Sequence, residues 1–259
     1  MPNAPINLNA DLGEGFGPWS MGDDEAMLDI VSSANIACGG HAGDPETMRR
    51  TVRLAKARGV SIGAHPSYPD LQGFGRRAMA LTSAELEGQI AFQVGALTGI
   101  ATLEAARVTH VKPHGALNNL ACIDRNVADT LCRTIRAIDR NLILLAPAAS
   151  QLLDAGRAAG LPVVEEIFAD RAYLPDGQLV PRARPDAMIH GAEACLEHTL
   201  SMLEAGALIA VDGTRIPTLI GSICVHGDSP GAVGIARYLR KELGTRGYQL
   251  LELPKISAG

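Results

Sequence analysis

Aromatic residues are scarce in this 259-residue chain: Phe, Trp and Tyr together make up 3% of it. A large core must then be filled mainly by Ala, Val, Leu and Ile, the usual packing between helices and a parallel sheet. Positive charge is in deficit as well. The formal net charge is -5 and the pI is near 5.8, which excludes the basic face that nucleic acid or an anionic membrane calls for. No run of about 18 apolar residues occurs, so no membrane-spanning helix is expected. The opening segment MPNAPINLNADLGEG has no basic flank leading into an apolar stretch, so no secretory leader is expected either. These absences predict a soluble, cytoplasmic protein. The five cysteines, Cys38, Cys122, Cys132, Cys195 and Cys224, follow no CxxC or zinc-ribbon spacing and read as buried, reduced thiols. HExxH, GxxxxGK[ST] and strand–GxGxxG–helix signatures are missing too, and GFGRR at residues 73–77 fits none of them. ATP phosphates would find no standard P-loop on this chain.

What is present is an alternation of short apolar runs with helical patterns. Strand-like runs fall at residues 6–12, 34–39, 60–65, 108–114, 142–146, 163–170 and 222–226, each bounded by Gly, Pro or Asp. Helical stretches fall at 23–32, 45–58, 83–103, 125–138, 150–159, 192–205 and 232–243. Thr82, Ser83 and Glu85 resemble a helix start, and Gly59, Gly160 and Gly206 stand where helices should stop. Successive βα units force parallel pairing, either as a doubly wound sheet or as a barrel. A doubly wound sheet gathers its chemistry at one switch point. Here nearly every strand run ends in ionisable residues, as expected when strands encircle one site. The expectation is one α/β domain over residues 1–259, a (β/α) barrel of the TIM-like type.

Residues of equal parity share a face of a strand. Asn7, Asn9 and Asp11 share one, leaving Ile6, Leu8 and Ala10 for the helices. His110, Lys112 and His114 share one, as do Glu166, Phe168 and Asp170, and Cys224, His226 and Asp228. Burying this many ionisable groups costs several kcal/mol each unless they are paired or used, so the inward phase marks a candidate site. Asp11 and Glu14 flank a Gly-rich bend. His41 follows in CGGHAGDPE, where Asp44 before Pro45 suits a helix N-cap instead. His65 in GAHPSYPD, His114 in VKPHGALNN and His226 in CVHGDSPGA adjoin Gly or Pro, as strand-to-loop corners do. Lys112 and, in EEIFADR, Asp170 and Arg171 complete a set mixing cations and carboxylates, which suits a small zwitterionic or anionic substrate. His110, His190 and His198 read as structural.

Six blocks, NLNADLGEGFG, SANIACGGHAGD, GAHPSYPDLQGFGRR, HVKPHGALNN, FADRAY and SICVHGDSPGA, run in order over nearly the whole chain and resemble the LamB/YcsF family. The resemblance implies a (β/α)7-type barrel related to glycoside hydrolases and deacetylases. It also implies ATP-dependent opening of 5-oxoproline (pyroglutamate) to L-glutamate, a 5-oxoprolinase activity, with separate B and C subunits as partners and ATP handled through them. Asp11, Glu14, His41, His65, Lys112, His114, Asp170, Arg171, His226 and Asp228 are the positions that fall in the family blocks. Two positions depart from the family pattern: Asn118 stands where HGALYN has Tyr, and Gly40 where CGFHAGD has Phe. The first removes a Tyr donor or lid, and the second is expected to make the pocket beside His41 roomier.

Two other readings stay open from the residues. Asp11, His65 and His114 could bind a divalent metal such as Zn²⁺ with an open position for water, as in a stand-alone amide or carbohydrate deacetylase. Alternatively, the chain could be a noncatalytic subunit that carries substrate to its partners.

Overall fold

The computed structural model describes residues 5–225 and 231–257. Six parallel strands follow one another around a wall: β1 (Pro5–Leu12), β2 (Ser33–Ala37), β3 (Ser61–His65), β4 (Val108–Val111), β5 (Ile143–Pro147) and β6 (Val163–Phe168). A small antiparallel hairpin, β7 (Ala207–Ile209) and β8 (Arg215–Pro217), leads into β9 (Ile220–Cys224). This strand pairs with β6 on one side and with β1 on the other, which closes a parallel barrel of seven strands. The two-residue β10 (Gln249–Leu250) adds to the start of β1. The helices α1 (Asp24–Leu28), α2 (Pro45–Ala57), α3 (Ser83–Leu103), α4 (Gly115–Ala121), α5 (Arg125–Ile138), α6 (Gln151–Ala158), α7 (Ala192–Ala205), α8 (Ala232–Thr245) and α9 (Leu253–Ser257) complete the described elements. None of these helices is long and apolar enough to cross a membrane.

The local signals explain the main boundaries. Asp44 caps α2 through the backbone N–H groups of Glu46 and Thr47, at 2.9 and 3.2 Å, with Pro45 at the first helical position. Thr82 and Glu85 form a reciprocal capping box at α3, and Gly206 ends α7 with φ 58°. Between strands and helices lies a continuous apolar layer including Ile6, Leu8, Ala34, Ile36, Val111, Leu144 and Ile167. Each fully buried Leu or Ile there contributes roughly 1.5–3 kcal/mol relative to exposure. All five cysteines are buried and free, as expected, and burial pushes Cys38, Cys122 and Cys132 up to about 12.

The structure differs from the sequence reading where strands meet loops. The regular pairing of β2 ends at Ala37 and that of β4 at Val111, so His41, Lys112 and His114 project from the connections after the strands. There the backbone turns over the end of the barrel. Helix α4, which begins immediately after His114, has no counterpart among the expected helices because its short sequence GALNNLA carries a Gly and two Asn. The segment between β6 and α7 is an excursion that packs its own small cluster, Ala172, Val180 and Ala187.

Candidate functional site

The barrel interior is built in two tiers, and strand parity puts each residue in its tier. The lower tier is neutral. Asn7 donates to Ser33 Oγ at 2.7 Å, Ser33 and Ser61 share a 2.6 Å hydroxyl contact, and Ser222 donates to Asn7 Oδ1 at 2.8 Å. Asn9 donates to Ser222 Oγ and to Glu166 Oε1, each at 2.8 Å. Asn35 donates to Asn9 Oδ1 at 2.7 Å and its own oxygen meets His110 Nε2 at 3.1 Å. Burial, with Lys112 next, lowers His110 to about 3, so this histidine is a neutral hydrogen-bonding member of the interior, in keeping with a structural role.

Above it the charges begin. Lys112 Nζ lies 3.0 Å from Asp11 Oδ1, 3.2 Å from Glu166 Oε1 and 3.0 Å from Cys224 Sγ. Burial opposes the ammonium, but the Asp11 and Glu166 carboxylates, with the Cys224 sulfur accepting its hydrogen bond, outweigh it and hold its pKa well above the ordinary lysine value. Burial pushes the Glu166 carboxyl upward despite Lys112, and pushes the Cys224 thiol far up, so it stays protonated. Asp11 also accepts from Asn35 Nδ2 at 2.8 Å, which fixes the carboxylate between the two tiers. Glu166 and Cys224 were legible as inward residues from their parity, but their contact with Lys112 depends on strands distant in sequence.

The top of the barrel holds three histidines. His65 Nε2 lies 3.3 Å from Asp11 Oδ2 and 3.0 Å from His114 Nδ1. His41 stacks face to face on His114, with centroids 3.7 Å apart and rings 3° from parallel, and its Nε2 lies 2.9 Å from Glu14 Oε1. Burial, reinforced by the neighbouring histidines, lowers His41 well below the usual range and His114 to about 3. Gly75, at φ 61°, closes over this pair; a Cβ there would lie 2.8 Å from His41 Cβ and 3.0 Å from His114 Cδ2. Glu14, His41, His65 and His114 offer four ligand atoms all within 4.8 Å of one another, a group that could hold a metal ion. This set keeps His65 and His114 of the triad expected from sequence and has Glu14 and His41 where that triad had Asp11.

These groups open into a cavity of about 710 Å³. Asp11, Glu14, His65, Lys112 and His114 form its polar floor, and Phe74, Arg76, Phe168, Arg171, Tyr173 and Arg182 are among its walls. Arg171 donates to the carbonyls of Val180 at 2.7 Å and Ala187 at 3.4 Å, tying down the excursion after β6, and burial lowers it to about 10. Asp170 is buried next to it but is not among the cavity-lining residues. Sequence reading passed over Arg76 and Arg182, which lie outside the strands where parity gives no signal. His226 and Asp228 lie outside the described residues, as does most of the GxSxG string GDSPG at residues 227–231.

The two departures resolve differently. Asn118 lines the cavity, and its buried Oδ1 has no hydrogen-bond partner. At Gly40 the expected extra room is absent. A Cβ there would collide with the Gln93 carboxamide, which is fully buried and bonds Ser67 N and Ser67 O at 2.9 and 2.7 Å. Gln93 fills the space beside the loop, so the glycine does not enlarge the pocket.

The LamB/YcsF family matches residues 6–258. The chain belongs to this family. It is 57% identical over 251 residues to the 5-oxoprolinase A subunit of Azoarcus sp. (strain BH72), covering 97% of this chain and 98% of that protein. It is 54% identical to the 5-oxoprolinase A subunit of Methylococcus capsulatus, with 96% and 95% covered. Among solved structures, the lactam utilization protein from Thermus thermophilus superposes with a TM-score of 0.91 at 40% identity, covering 96% of this chain and all of that one. The catalytic domain of a peptidoglycan N-acetylglucosamine deacetylase from Eubacterium rectale gives a TM-score of 0.52 at 10% identity, with 97% and 89% covered, which places this family member in a deacetylase-like barrel fold and no more.

Proposed function

We propose that this single-domain, cytoplasmic protein is the A component of an ATP-dependent 5-oxoprolinase and carries out the ring-opening of 5-oxoproline to L-glutamate with partner B and C subunits. The observation that carries the reading is the Asp11–Lys112 pair, 3.0 Å apart at the floor of a cavity that Arg76, Arg171 and Arg182 also line. A carboxylate, buried histidines and several cations in one chamber suit hydrolysis of a small anionic amide. The names of the relatives supply the substrate.

A five-membered lactam is a resonance-stabilised amide whose carbonyl is a poor electrophile. In our reading the partner subunits transfer phosphate from ATP to the amide oxygen. Asp11 or Glu14 then takes a proton from water as its oxygen bonds to the activated carbon, the C–N bond breaks, and a histidine gives a proton to the departing nitrogen. The acyl phosphate formed loses phosphate to a second water. Lys112 pairs with Asp11 from below, and Arg171 faces the substrate carboxylate or oxyanion. His226 and Asp228 belong to the same candidate set.

The test is ATP-dependent glutamate release from 5-oxoproline by this chain alone and with the two partner subunits. Release is expected only with all three, and Asp11→Asn should lower single-turnover ring opening by about 10²–10⁴-fold with folding retained. Full turnover with Asp11→Asn would remove the site from catalysis and favour a carrier role, and full turnover without this chain would remove the chain from the reaction altogether.

A further inference from the structure

Helix α3 turns an uncharged face to solvent. From Gly88 to Leu103 no residue is ionisable, and Leu86, Ile90, Val94, Leu97 and Ala101 are among the side chains the helix buries against the barrel. The opposite face carries Gly88, Phe92, Gly95, Gly99 and Leu103, all exposed and, at 3.6 residues per turn, in one stripe along the helix. Phe92 is 68% exposed and Leu103 67%. Glycine is a poor helix former that suits places where another backbone must come close, yet a Cβ on Gly88, Gly95 or Gly99 would meet nothing within 4 Å. Packing among the described residues therefore gives these glycines no reason. A contiguous apolar stripe that also exposes two large side chains belongs to a surface that another molecule covers.

The stripe is complementary to itself. A two-fold axis between Gly95 and Ala96, with the helices antiparallel, pairs residues equidistant from that midpoint. Phe92 then faces Gly99 of the second copy, each about 5 Å along the helix from the axis, and Leu103 faces Gly88 of the second copy, each about 11 Å from it. Both large apolar side chains thus meet a residue without one, and such glycines let helix axes approach to about 8 Å. The charged ends match as well. Glu87 accepts from Arg133 at 3.0 Å at one end, and Glu104 accepts from Arg49 and Arg53 at 2.5 and 2.7 Å at the other. The same axis sets each end beside the opposite end of the second copy, where two carboxylates and three guanidiniums form a mixed polar rim. That rim attracts although the chain as a whole, at a net charge of -5, repels its copy. We infer that two copies of this chain associate through α3 in an antiparallel, two-fold contact. Helix α3 starts on the cavity side, after β3, and ends on the far side, before β4, so the pairing points the two cavities in opposite directions and leaves both mouths open. The contact spans about 22 Å of helix, which is small beside a standard interface of about 800 Å² per partner. Dissociation in roughly the micromolar range is therefore expected.

Sedimentation velocity of the purified chain from nanomolar to high micromolar concentration reads the equilibrium. Monomer at the low end and dimer at the high end are expected. Phe92→Glu, which sets a carboxylate in the apolar core of the contact, should weaken the dimer by about 100-fold, with folding checked by circular dichroism. Oxidative cross-linking reads the register separately. Ala96→Cys brings its two copies about 5 Å apart between Cα atoms across the axis, within disulfide range, whereas Gly88→Cys leaves them about 22 Å apart. Mild oxidation should cross-link the first and not the second, and the native cysteines are all buried. A wild type that stays monomeric throughout overturns the contact, as does a dimer that Phe92→Glu leaves equally tight. No cross-link at Ala96→Cys, or one as fast at Gly88→Cys, overturns the antiparallel register. None of these measurements uses 5-oxoproline or ATP, so they stand apart from the ring-opening assay.

Discussion

The two tiers of the barrel interior are both largely buried but chemically unlike. In the lower one Asn7, Asn9, Ser33, Ser61 and Ser222 satisfy one another with neutral hydrogen bonds. In the upper one Asp11, Glu14, Lys112, Glu166 and three histidines crowd carboxylates, an ammonium and imidazoles around an open cavity. Neutral donors and acceptors can be satisfied locally and then contribute rigidity. Ionised groups in the same surroundings need counter-charges, which Lys112 supplies to Asp11 and Glu166 here. The lower tier therefore holds the strands in register, and the upper tier uses that register.

The largest effect should come from breaking the upper tier at its cation. Lys112→Ala leaves Asp11 and Glu166 without their shared ammonium and should cost about 3–5 kcal/mol in denaturant titration, together with loss of ring opening. Ser33→Ala tests the other side. It removes the acceptor of one Asn7 Nδ2 proton, the other still donating to Leu251 O at 2.8 Å, and that of the Leu253 N–H, and should cost about 1–3 kcal/mol while turnover under folding conditions stays at the wild-type level. A turnover loss as large as that of Asp11→Asn would erase the distinction between tiers.

A smaller effect is expected at the wall. Gly40→Ala should destabilise by about 1–2 kcal/mol through overpacking against Gln93, and Gln93→Ala in the same chain should recover part of it; strict additivity of the two in a double-mutant cycle would show that the contact is not what limits the site. The smallest lies outside the barrel. Burial nudges Asp44 upward, but hydrogen bonds from Thr47, Gly17 and Glu46 outweigh it and hold it at about 2 against an ordinary 3.8. A depressed carboxylate stabilises above its unfolded pKa and loses that contribution as pH falls through the folded one. Asp44→Ala should thus cost about 1 kcal/mol at neutral pH, and thermal unfolding should show the gap from wild type closing between pH 4 and pH 2.

Much of this was readable from particular residues. The alternation of Asn7, Asn9 and Asp11 with Ile6, Leu8 and Ala10 assigned both faces of β1, and the bounds of α3, α5 and α7 matched because their caps and stops are local. Glu165 and Glu166 show the same rule at its sharpest. The first pairs outward with Arg157 at 2.5 Å and the second inward with Lys112 at 3.2 Å. The excursion after β6 and the hairpin before β9 were missed, since neither has the periodicity of a helix or a long strand. Arg76 and Arg182 were missed for the same reason.

By itself the sequence determined which residues share a strand face, which helices form and that ionisable groups gather at the strand ends, because those properties repeat every two or every 3.6 residues. Only the tertiary structure decided that β9 closes onto β1, that Lys112 reaches Asp11 across 101 positions, and that His65 and His114 meet 3.0 Å apart. Those outcomes depend on the register between strands distant in sequence, and no local pattern encodes it.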